Sequence, residues 1–142
     1  MFSQVTERTI DLNAPPPTLA KKDGLYILIL CRGDIDPDWQ LEMAKKIALA
    51  MPVLAAAWGP GTTSWDDAID DSAIIGQIEG WLPKDLFILT TWHDDEPLAE
   101  TVDFLATNIK YEDAPIDKLL ILNMGNTSAK PGDVAQMLKA RD

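Results

Sequence analysis

A chain of 142 residues, 46% of them hydrophobic, holds enough apolar material for one domain with a real core and too much for wholesale disorder. Its 23 acidic residues against 12 basic ones leave a formal charge of -11, which opposes binding to nucleic acid or an anionic membrane surface and favours a basic protein or a cation. No apolar run approaches the roughly 20 residues that span a bilayer, Met1 to Leu12 lacks the layout of a secretion signal, and the lone Cys31 cannot form an internal disulfide, so a cytoplasmic location is expected.

Met1 to Lys22 mixes polar residues with Phe2, Val5, Ile10 and Leu12, and the triplet Pro15-Pro16-Pro17 favours an extended polyproline conformation. Residues 1–22 are read as an extended N-terminal arm or tail. Within it Ser3 to Leu12 fits an added edge strand, an arm on a neighbouring subunit or a mobile tail. Residues 23–142 make the single α/β domain. Leu25 to Cys31, LYILILC, is its clearest strand. Asp36 then has the chemistry of a helix N-cap and Pro37 suits a first helical position. Trp39, Met43 and Ile47, with Leu41, Ala44 and Ala48, recur at helical spacing up to about Ala50. Val53 to Trp58, VLAAAW, is a second buried strand whose alanines imply close packing under a helix, and Gly59-Pro60-Gly61 ends it.

Ser64 can cap the next helix, with Asp67 three residues on, and Trp65 to Asp71 is predicted helical. Ala73 to Ile78 is open between a continuation of that helix and a short extended piece, because so short a run cannot fix a period. Leu86 to Leu89 reads as a third strand, covered on both faces, with Thr90-Thr91-Trp92-His93 in the turn at its carboxyl end. Asp94, Asp95 and Glu96 place acceptors at the start of a helix, and Pro97 falls in its first turn. Leu98, Val102, Leu105 and Ile109 form its packing stripe, with Lys110 near the carboxyl end of its dipole. Ile116 to Leu122 is the fourth strand, and Asp133 to Ala140 is a closing helix with Val134, Met137 and Leu138 facing inward.

The alternation of strands and helices predicts a small, open, mostly parallel four-stranded sheet with helices on both faces, a three-layer Rossmann-like or flavodoxin-like α/β domain. Parallel strands would gather Arg32 to Asp34, Trp58 to Trp65, Thr90 to Glu96 and Asn123 to Asn126 along one carboxyl edge, where open α/β sheets bind ligands.

His93 is the only histidine, so general acid or base work near neutral pH falls to it or to a perturbed carboxylate, with Asp34, Asp66 or Glu96 as possible orienting groups. Ser64, Thr90, Thr91 and Cys31 are candidate nucleophiles by location, but no G-x-S-x-G elbow occurs. The bland alternative is a histidine that orders its turn by hydrogen bonding. Gly59-Pro60-Gly61-Thr62-Thr63-Ser64 sits where a phosphate loop would, yet it has a proline in place of a donor, no third glycine and no nearby cation, so a turn with a helix cap explains it better. Asp34, Asp36 and Asp38 open like a calcium loop, but Trp39 and Lys45 stand where its glycine and closing glutamate belong. One His and one Cys do not make a usual zinc set; no metal and no cofactor are expected. Three of the five tryptophans, Trp58, Trp65 and Trp92, are placed near the carboxyl edge beside acids, which suits cation-π recognition as well as a plain hydrophobic cluster.

The segments Ala57-Trp58-Gly59-Pro60 and Thr90-Thr91-Trp92-His93, followed by Asp95-Glu96-Pro97-Leu98 and Glu100, resemble the recurring pattern of a small bacterial family of unknown function. The resemblance covers roughly Ala57 to Leu105. It implies that the two turns belong together and carries no activity to any residue.

The leading expectation is a small acidic binding or interaction module that takes a basic protein or cationic ligand at the carboxyl edge, through Trp58, Trp65, Asp66, Trp92, His93, Asp34 and Glu96. The alternative is a small-molecule hydrolase or transferase with His93 as general acid or base. A homodimer is compatible with either.

Overall fold

A computed structural model describes residues 2–108 and 116–141 in full and the backbone alone of 110–111 and 114–115. Ile109 and the Lys110 side chain, expected to finish a helix, lie outside the described residues.

The organising strand is β2 (Leu25–Leu30), buried at every position. Its neighbours are β3 (Leu54–Trp58) on one side and β7 (Lys118–Asn123) on the other, with β4 (Leu89–His93) beyond β3 and β1 (Gln4–Thr9) beyond β7. Every pairing in this five-stranded sheet is parallel. Alternation along a strand sends successive side chains to opposite faces. Ile27, Ile29, Ala55, Ala57 and Leu122 accordingly join one core, while Tyr26, Leu28, Leu30, Ala56 and Ile121 join the other.

Helices α1 (Pro37–Leu49) and α2 (Thr63–Glu79) cover the first face with Met43, Ile47, Trp65 and Ile69. Helices α3 (Leu98–Thr107) and α4 (Asp133–Ala140) cover the second with Val102, Leu105, Val134 and Leu138. From β2 the chain steps outward to β3 and β4 and returns through α3 to β7, on the far side of β2. The order reverses between β2 and β7, which makes a doubly wound α/β sheet with its topological switch point there. A two-stranded antiparallel pair, β5 (Lys110–Tyr111) with β6 (Ala114–Pro115), lies between α3 and β7.

The three-layer α/β class matches expectation, with five strands in place of four because the N-terminal segment adds β1 as an edge strand on β7. Asp36 caps α1 by accepting from the Asp38 N–H at 3.2 Å, with Pro37 at the first helical position. Leu41, expected inside, is exposed. Helix α2 starts at Thr63, so Ser64 is not its cap: the Ser64 hydroxyl instead accepts from the Gln40 side chain at 2.9 Å and ties α2 to α1. It continues to Glu79 and closes on Gly80 in the left-handed conformation, which settles residues 73–79 as helix.

The third strand is displaced from its expected place. Leu86 follows a turn, donating to the Pro83 carbonyl at 3.2 Å, and pairing begins only at Leu89 opposite Leu54. Thr90 to His93 are therefore strand, not turn, and β4 is a partly exposed edge rather than a strand covered on both faces. Among the described residues, no helix is long and apolar enough to cross a membrane.

Candidate functional site

Two clefts open at the carboxyl edge. The first occupies the switch point, has a volume of about 390 Å³ and is lined by Arg32, Asp34, Ile35, Asp36, Trp39 and Asn126 with Leu12 and Asn13. Asn126, after β7, reaches across to β2 and accepts the Arg32 N–H at 3.1 Å. Arg32 in turn holds Asp34 at 3.2 Å, and that hydrogen bond, followed by a backbone hydrogen bond and then the guanidinium charge, keeps the Asp34 carboxyl below its usual range. Asp34 thus already has a cation. Asp36 is committed to the α1 cap, so the Asp34, Asp36 and Asp38 run does not converge on a common point.

The second cleft, about 420 Å³, lies over the ends of β3 and β4 and is lined by Trp58, Asp94, Asp95 and Glu96 with Gly59, Pro60, Pro97 and Ser128. None of these residues is basic. Trp58 is fixed by its indole N–H, which donates to the Glu96 carbonyl at 2.9 Å and so bridges the two turns. Three carboxyl-bearing residues thus surround one half-buried indole.

His93 is linked to this cleft through Glu96. Its Nδ1 is hydrogen-bonded to the Glu96 carboxylate, its Nε2 lies 3.0 Å from the Thr91 hydroxyl, and its ring packs on Phe104 with centroids 5.0 Å apart. The side chain is 9% exposed. Leu89, Thr91 and His93 share the α3 face of β4, by alternation. Of the three acids considered as partners for His93, Glu96 holds that place, while Asp34 and Asp66 belong to other surfaces. Glu96 is drawn to the histidine rather than to a helix cap: Pro97 is the N-cap of α3, with no side-chain cap bond.

Thr90 and Trp92 point to the opposite, α2 face. The Thr90 hydroxyl hydrogen-bonds Asp66 and approaches Asp70 at 3.5 Å. Desolvation and, second, the neighbouring Asp66 charge push the Asp70 carboxyl above its usual range, although the Thr90 hydrogen bond opposes this. Trp92 is 47% exposed.

Trp65 is not exposed at the edge. It is 0% exposed in the first core, with its side chain against the Cys31 thiol. The expected group of three tryptophans is therefore divided among a cleft wall, a core and an open strand edge. Cys31 is equally enclosed; burial pushes its thiol pKa up, which disfavours the thiolate that a nucleophile needs.

The glycines of Gly59-Pro60-Gly61 serve backbone packing. A Cβ on Gly59, at φ +131°, would lie 2.2 Å from the Cys31 carbonyl oxygen, and one on Gly33 would lie 1.8 Å from that of Gly61. The Gly33 N–H donates to the Pro60 carbonyl at 2.7 Å, so the loops after β2 and β3 are in direct backbone contact. Sequence reasoning gathered Asp94, Asp95 and Asn126 along this edge but did not name them among the binding residues. The signal available for Asn126 was its place just past the last parallel strand, facing the switch point.

No curated protein and no solved structure matches the chain. The model of a family described as a domain of unknown function (DUF7684) matches residues 6–141, and the chain belongs to that family.

Proposed function

We propose that this chain is a small acidic binding module whose carboxyl edge receives a cationic group, either a lysine or arginine of a basic protein or a small cationic ligand. The supporting observation is the cleft over β3 and β4, in which Trp58 is flanked by Asp94, Asp95 and Glu96 without a basic residue in the lining. An indole face and carboxylates act on the same sign of charge, and the formal charge of -11 favours approach of a cation over long range. Arginine amide, titrated calorimetrically at low salt, is the simplest probe. Replacing Asp94 and Asp95 together by Asn should weaken its binding by about tenfold, as loss of one or two exposed charge contacts implies. Binding should also fall as salt is raised. Affinity indifferent to both salt and the double variant overturns the assignment.

A hydrolytic reading draws on one specific arrangement, the order Thr91 hydroxyl, His93 imidazole, Glu96 carboxylate. In that reading His93 Nε2 takes the Thr91 proton while Glu96 holds Nδ1–H. Against it, the lining of the neighbouring cleft includes Glu96 but neither Thr91 nor His93. A chromogenic ester panel decides: turnover abolished in both His93→Ala and Thr91→Val with the fold retained establishes the hydrolase, and absence of turnover in the unmodified protein dismisses it.

A further inference from the structure

Strand β4 is an open edge of the sheet. Leu89 donates its N–H to the Val53 carbonyl at 3.2 Å, and the His93 carbonyl accepts from the Gly59 N–H at 3.3 Å. In this parallel register residues 89, 91 and 93 turn their peptide groups toward β3, so Thr90 and Trp92 turn theirs away from the sheet. Natural sheets blunt such edges with lysine, proline or a bulge. The sequence LTTWH contains neither lysine nor proline, and its pairing with β3 runs residue for residue without a bulge.

The flank of this edge has a divided character. Helix α2 runs back alongside β4, and Asp66, Asp70, Ile74 and Ile78 follow one another along it at a spacing of four residues. The acids lie level with Thr90, which touches both, and Trp92 projects on the same face. Farther down, Ile74 is 53% and Ile78 80% exposed. An edge strand, with no strand on its outer side among the described residues, thus lies beside acidic groups at one end and apolar ones at the other.

A second copy of the chain could pair with this edge only by bringing two Asp66 and Asp70 flanks together, on protomers that each carry -11. Like charges oppose that arrangement, whereas a basic segment relieves the crowding of Asp66 and Asp70. We propose that β4 is the docking edge for an extended basic segment of a partner protein. That segment adds one strand to the sheet and bonds the outward peptide groups of Thr90 and Trp92. It sets lysine or arginine against Asp66 and Asp70 and apolar side chains against Ile74 and Ile78. The inference shares with the cleft reading the sign of the partner's charge, but it rests on a different surface and stands if the cleft binds nothing.

The probe is a short synthetic peptide of alternating lysine and valine, with two relatives: the same peptide N-methylated at alternate residues, and one with glutamate in place of lysine. Amide hydrogen exchange of the intact protein reads out where each binds. The lysine peptide should slow exchange at the Thr90 and Trp92 amides, N-methylation should cost about tenfold in affinity through two lost backbone hydrogen bonds, and the glutamate peptide should not bind. Trp92→Pro removes an outward N–H that β3 does not use, which edge strands tolerate, and should abolish protection where Trp92→Ala only weakens it. Asp94→Asn with Asp95→Asn should leave strand docking intact, so failure of the cleft and failure of the edge are separable. No binding of the lysine peptide, binding insensitive to N-methylation, or protection confined to other strands overturns the proposal. Protection of the same amides on self-association, measured by sedimentation without peptide, assigns the edge to a second copy and overturns it equally.

Discussion

Trp65→Ala should lower the free energy of unfolding by about 3–5 kcal/mol, the range for removing a large aromatic side chain from a core. That is a large share of the roughly 5–15 kcal/mol that keeps a domain of this size folded. The expectation follows from position. Trp65 lies in the first turn of α2, is 0% exposed and packs in the core that α1, α2 and the sheet share with Met43, Ile47 and Ile69. Truncation leaves a cavity at the junction of two helices and the sheet, where few neighbours can collapse into it. Urea unfolding followed by far-ultraviolet circular dichroism measures the effect. Trp65→Phe gives the graded comparison, since it keeps a buried ring while removing the indole N–H that faces the Cys31 thiol. A midpoint for Trp65→Ala within error of the parent would show that the residue sits at the surface.

Gly59→Ala carries the second large cost. The residue combines φ +131° with a Cβ position 2.2 Å from the Cys31 carbonyl oxygen, so an alanine there is strained and also collides with backbone that cannot rotate aside. Summing a strained conformation and overpacking gives a loss of about 2–6 kcal/mol. Gly33→Ala should behave alike, because a Cβ 1.8 Å from the Gly61 oxygen forces apart the loops joined by the Gly33 to Pro60 bond. Gly125→Ala is the control: its φ of +73° is unfavourable for alanine, but nothing lies within 4 Å, so only the conformational cost of about 1 kcal/mol remains. Equal losses for Gly59 and Gly125 would mean that close approach of the two loops plays no part. The difference between them therefore measures how tightly the two clefts are tied together by their shared backbone.

How far the sequence spoke for itself depended on whether local and tertiary signals agreed. Strand β2 and helix α1 were legible because an unbroken apolar run and an Asp36-Pro37 cap state the same thing locally that the fold requires. Strand β4 was misplaced because LFIL is apolar for a different reason: Ile88 reaches the first core and Leu89 joins the second, while Phe87 is exposed and pairing starts only at Leu89. Register is set by β3, and nothing in the run itself encodes it. Trp65 was misjudged because a tryptophan near a loop in sequence can turn inward on the first turn of a helix. The candidate site was half visible. Trp58 and Glu96 do meet, as the two-turn resemblance implied, through an indole to carbonyl bond that side-chain chemistry alone does not announce. Asp34 was drawn away by Arg32, an ion pair between residues two apart whose geometry only the loop decides.

The position of β7 between β1 and β2 governs how this chain can reach its native state. Strands β1 and β2 are consecutive along the chain but do not touch; each hydrogen-bonds to β7, whose residues lie near position 120. During synthesis β2, β3 and β4 can begin to associate as they emerge, but β1 has no partner until β7 has left the ribosome. Bridging Thr6 to Leu120 closes a loop that contains most of the chain, so sheet completion is a late, entropically costly step and folding should be slow for the domain's size. Until then one side of β2 stays unpaired, and this central strand is the part of the nascent protein most exposed to wrong pairing.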